Sequence, residues 1–125
     1  MKAGDTFFLK EGAADRHLRV VISDPERFPE QVVFVTLTSF DVTKEAVCLI
    51  QPGEHPWVKN LTCIAYDRAL VCKFVDLEQM AEASPILWNT AVSRELLGRI
   101  REGASLSRDI KPLMLKILLD QNILD

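Results

Sequence analysis

Short runs of β-branched and aromatic residues, separated by turn formers, fill the first 74 positions of the chain. Thr6-Phe7-Phe8-Leu9 predicts a first short strand. Leu18-Arg19-Val20-Val21-Ile22-Ser23 predicts a second, closed by Asp24-Pro25. Val32-Val33-Phe34-Val35-Thr36-Leu37-Thr38 carries the strongest strand pattern, and Ala46-Val47-Cys48-Leu49-Ile50 follows it, stopping at Pro52-Gly53. Thr62-Cys63-Ile64-Ala65-Tyr66 and Ala69-Leu70-Val71-Cys72-Lys73-Phe74 flank Asp67-Arg68, which predicts a hairpin, although Asp-Arg lacks the glycine of the favoured two-residue turns. About six short strands with turns between them predict a small barrel or sandwich, and a closed barrel leaves no sheet edge exposed.

Beyond the strands the period changes to that of a helix. A short helix is expected from Val75 to Ala83, ending before Pro85. Between Thr90 and Glu102, Val92, Leu96, Leu97 and Ile100 recur at helical spacing, with Gly103 placed as a C-cap. Ser107 or Asp109 is a candidate cap for a last helix with Pro112 in its first turn. Leu113, Ile117 and Leu124 would then face a partner surface. No internal repeat, low-complexity tract or linker interrupts residues 1–125, so the expectation is one domain: barrel strands over 1–74, a helical part over 75–125, mainly β in an α+β sense.

Length and composition sharpen this. A chain of 125 residues is the usual size of one domain, and 48% hydrophobic content is enough for a core without metal or disulfides. The N-terminus carries no apolar export segment and Leu113 to Leu119 is too short to span a membrane, so a cytoplasmic protein with no membrane partner is expected. Cys48, Cys63 and Cys72 lie far apart without a CxxC pair, which argues for buried thiols rather than zinc or redox chemistry. A net charge of −3 disfavours a general nucleic-acid surface, so any such site must be a local patch.

The order of features carries a resemblance. Gly4-Asp5 precedes the first strand, and a polar loop, Glu11 to Asp15, leads to Arg16-His17-Leu18-Arg19-Val20-Val21-Ile22-Ser23. The third strand ends in Thr36-Leu37-Thr38-Ser39, and Cys63-Ile64-Ala65-Tyr66-Asp67-Arg68-Ala69 comes later, before C-terminal helices. Over residues 4–75 this resembles the MazF/PemK family of toxin endoribonucleases. The resemblance implies an SH3-like β-barrel with a C-terminal helix, metal-independent cleavage of single-stranded RNA without a cofactor, dimers, and a cognate antitoxin protein. Thr38 matches the family's catalytic threonine. At the position of the family's catalytic arginine stands His17, with Leu18 in place of its proline, and the long loop before it is shortened.

The residues themselves allow that chemistry. Histidine suits proton transfer near neutral pH, and arginine suits a phosphoryl group because its planar fork can hold two oxygens. His17 and Arg19 stand two apart in a strand-like segment, which puts both on one face. His17, Arg19 and Thr38 are therefore the catalytic candidates. Ser39, His55, Trp57, Lys59 and Arg68 are candidates for holding RNA, with Trp57 able to stack on a base. Each has a plainer alternative: a strand-edge residue, a turn former, a snorkelling cation, a loop histidine or a rim aromatic. No metal site is expected. A non-catalytic module on the same barrel, binding a protein partner or RNA without cleaving it, is the competing expectation. Leu113, Ile117 and Leu118 could bury against a second copy in a homodimer or simply pack on their own barrel.

Overall fold

A computed structural model describes residues 1–9, 17–83 and 86–124, the side chains of 81–83 excepted. The polar loop from Glu11 to Asp15 and the helix-ending Pro85 lie outside the described residues. The strands are β1 (Thr6–Phe8), β2 (Arg19–Val21), β3 (Val32–Ser39), β4 (Leu49–Ile50), β5 (Thr62–Cys72) and β6 (Leu87–Asn89). The helices are α1 (Phe74–Ala83), α2 (Arg94–Leu106) and α3 (Pro112–Asp120). The six strands form one antiparallel sheet in the order β4-β5-β3-β2-β1-β6, curled into a half-barrel.

Strand alternation gives the sheet two different faces. On the concave face Leu18, Val20 and Ile22 meet Val33, Val35 and Leu37 of β3 and Ile64 and Tyr66 of β5. Leu96, Ile100 and Ala104 of α2 and Met114, Ile117 and Leu118 of α3 fill this core. On the convex face a smaller cluster gathers Phe7, Val21, Val32 and Phe34 beneath Leu77 of α1. Gly4 makes the entry turn at φ +89°, a backbone conformation that disfavours side chains, and ties two elements together. Its N–H donates to Val21 O at 2.8 Å and its carbonyl accepts from Val92 N–H at 2.9 Å.

Two sequence expectations are corrected. Asp67-Arg68 does not turn a hairpin: both flanking runs belong to β5 and pair with the single strand β3. Phe34 faces Leu70 and Thr36 faces Ala65, so β5 passes four residues, 66–69, where β3 passes only Val35. This is a wide bulge, and its odd excess reverses the alternation along β5. Ile64 and Tyr66 face the main core before it, Ala69 and Val71 after it. Gly103 is not a C-cap but an interior residue of α2, and the helix ends at Ser107, whose N–H donates to Gly103 O.

Other boundaries shift less. The helix expected from Thr90 starts only at Arg94, because Ser93 Oγ caps it by accepting from Leu96 N–H at 3.0 Å. α3 begins after Lys111, not Ser107 or Asp109, with Pro112 in its first turn as expected. Only Leu49–Ile50 of the fourth predicted strand is paired. β6 had no counterpart in the sequence reading. Ile117 and Leu118 are buried in the chain's own core, Leu124 packs against it partly buried, and Leu113 is exposed. Among the described residues no helix is long and apolar enough to cross a membrane.

Candidate functional site

The bulge lifts Asp67 and Arg68 out of the sheet, and a depression opens on each side of them. Bulges often re-aim side chains in this way. The first depression, about 280 Å³, is lined by His17, Arg19, Thr36, Asp67, Arg68 and Lys111, with Ala69 and Leu70 at its floor and rim. Arg19 and Thr36 are direct cross-strand partners, which fixes their side chains on one face. His17, two residues before Arg19, joins them. Its Nδ1 donates to Leu37 O at 3.2 Å, since a carbonyl can only accept.

Arg19 is the unusual member. It is only 9% exposed, and its Nε is buried without a hydrogen-bond partner. No ion pair joins Arg19, Arg68 or Lys111 to an acid among the described residues, although Asp67 lines the same depression. A guanidinium held this way is costly unless something neutralises it. Among the described residues that line it, three cations stand against one carboxylate, in a chain that is negative overall.

The second depression, about 200 Å³, contains Thr38, Lys44, Glu45, Tyr66, Asp109 and the shared Asp67 and Arg68. Lys44 Nζ donates to Thr38 Oγ1 at 3.3 Å and to Ser39 O at 2.6 Å, and pairs with Asp41 at 3.5 Å. Thr38 lines this second depression, next along β3 to Leu37, whose carbonyl His17 bonds, and Arg68 is the candidate cation common to both depressions. Ser39 is exposed at the end of β3. Burial and the nearby Glu45 push the Asp109 carboxyl up.

The remaining candidates lie elsewhere. His55 is 2% exposed; its Nδ1 accepts from Trp57 N–H at 3.1 Å and its Nε2 donates to Thr90 O at 2.6 Å. Both ring nitrogens are therefore used in holding the loop after β4, and the ring is not presented to a ligand. Trp57 is half-buried, its ring edge-on to Phe8 at 5.8 Å and packed against the main core. Lys59 is exposed two residues further on. His17 bonds Leu37, while His55 bonds Thr90 and Trp57. Among the described residues no three His, Cys, Asp or Glu side chains converge so as to hold a metal ion. Lys44 and Lys111 were not singled out from the sequence, because each reaches the bulge through tertiary structure rather than a local motif.

The three cysteines are unpaired. Burial pushes the Cys48 and Cys63 thiols up and Cys72 up to about 11, so none has the depressed pKa of a nucleophile. No protein-family model, no curated protein and no solved structure matches this chain.

Proposed function

We propose that the chain is a toxin-like, metal-independent endoribonuclease acting on single-stranded RNA, its curled sheet an SH3-like barrel, with the scissile phosphate bound in the depression of His17, Arg19 and Arg68. The observation that carries this reading is Arg19: a nine-tenths buried guanidinium with an orphaned Nε, opening onto a cavity that also holds a histidine and two further cations. Such a group calls for an oxyanion, and a phosphodiester supplies one with two free oxygens.

In this reading the 2′-hydroxyl attacks phosphorus and the 5′-oxygen leaves, giving a 2′,3′-cyclic phosphate and a 5′-hydroxyl. The His17 imidazole takes or gives the proton, while Arg19 and Arg68 hold the phosphoryl oxygens as charge builds on them. Thr38, in the second depression, would meet the neighbouring phosphate of the strand. A cognate antitoxin would act by covering this positive depression.

The test is cleavage of a long unstructured RNA in the presence of chelator by wild type, His17→Ala and Arg19→Ala. Wild type is expected to leave cyclic-phosphate ends, with His17→Ala slowed by about 10²–10⁴-fold, the usual share of a general acid–base. Intact RNA in the wild-type lane would remove the catalytic reading and leave a module that binds RNA or protein without cleaving.

A further inference from the structure

The convex-face depression is completed by a residue from the far end of the chain. Lys111 is the N-cap position of α3, a nine-residue helix whose start has no side-chain cap and whose first helical residue, Pro112, has no N–H. Its side chain is exposed and lines the same cavity as Arg19 and Arg68. Three elements therefore bring one cation each: β2 brings Arg19, the β5 bulge brings Arg68, and the turn into α3 brings Lys111. The start of a helix also favours negative charge through its aligned peptide dipoles. That alone would say little. The independent sign of a ligand is the buried Arg19 Nε, unpartnered in the wall of the same cavity.

We infer that Lys111 closes a three-cation clamp, with Arg19 and Arg68, around a phosphate group of an RNA strand. The inference rests on the depression being a phosphate site and adds the residue that gives it its third side. Lys111 acts on binding and positioning. Arg19 is fixed by its packing and presents an immobile donor, whereas Lys111 is a flexible ammonium on an exposed stem that folds onto the anion once it arrives. The clamp also ties the occupied state to α3, whose Met114, Ile117 and Leu118 are anchored in the main core. Occupancy is thereby felt on both faces of the sheet.

Inorganic phosphate is the probe, titrated at low ionic strength and followed by amide NMR shifts, with wild type, Lys111→Ala, Lys111→Arg and Arg19→Met side by side. Wild type is expected to show saturable shifts at Thr36, Ala69 and the start of α3. Lys111→Ala is expected to weaken phosphate about tenfold, the effect of losing one charge-assisted hydrogen bond, and Lys111→Arg to recover most of it. Arg19→Met should abolish saturation. Lys116→Ala is the control: it removes the same charge from the same helix, but Lys116 is paired with Asp120 at 2.7 Å, and the affinity should hold. Equal weakening by Lys116→Ala, or none by Lys111→Ala, would overturn the clamp. Displacement of phosphate by a short oligouridylate supports a strand phosphate as the occupant, and failure to displace it overturns that assignment. Phosphate binding without RNA cleavage would sink the ribonuclease while leaving the clamp standing, so the two failures are told apart.

Discussion

The phenol of Tyr66 crosses the main core to donate to Ile100 O at 2.6 Å, and burial raises its pKa, so it remains a donor under physiological conditions. Gly103, one turn further along α2, leaves the room: a Cβ there would collide with the Tyr66 hydroxyl and press on the ring and on Cys48. Gly103→Ala is therefore expected to cost about 2–3 kcal/mol, from overpacking and the loosened hydroxyl. Tyr66→Phe, which only loses the bond, should cost about 1 kcal/mol. In urea denaturation the double variant should lose less than the two single losses together, because removing the hydroxyl relieves the clash. Full additivity would mean that the hydroxyl is not what excludes the methyl group. From the sequence, Gly103 after a helical run reads as a helix stop. What it does was invisible there, because the tyrosine that requires it lies 37 positions away.

Among the elements, α2 was the most legible. Leu96 and Ile100 share its buried face, as their spacing predicts, and only its two ends were misjudged. Ser93 sets that start, so Ser93→Ala should lower stability by about 1 kcal/mol in thermal or urea unfolding, while Ser93→Asp should retain most of it. β5 was less legible for a definite reason. A reader of alternation sees the apolar phase break at Asp67-Arg68 and infers a chain reversal, whereas a bulge with an odd excess breaks the phase without reversing the chain. β6 was missed because Leu87-Trp88-Asn89 is too short to show a period. It forms against β1, where the Trp88 ring lies 5.9 Å from Phe7. The pairing of His17 with Arg19 in one depression follows the two-residue period that the sequence offered. The arrival of Lys111 depends on the turn into α3 and could not be read locally.

Across the whole molecule, the negative charge of −3 hides a strongly uneven distribution, with a positive depression at the bulge and ion pairs elsewhere. One of these pairs joins distant parts: Arg99 of α2 holds Glu54 in the loop after β4 and donates to Leu49 O at 2.6 Å. The hydrogen bond from Arg99 holds the Glu54 carboxyl below its ordinary range. A carboxyl lowered in the folded state contributes stability that is complete above its unfolded pKa and lost as pH falls through the folded one. Wild type should therefore lose stability as pH falls below the ordinary glutamate range, and Glu54→Gln should flatten part of that decline while being less stable near neutrality. An unchanged acid limb in pH-dependent thermal unfolding would count against the pair. The bulge has its own consequence for how this fold can vary. Because the two halves of β5 are phased separately, residues can be gained or lost between Tyr66 and Ala69 two at a time with the facing of both halves kept. A single insertion would turn half the strand inside out. Arg68 is thus carried on the part of β5 whose length is freest to change, so the surface there can diverge while the curled sheet around it stays the same.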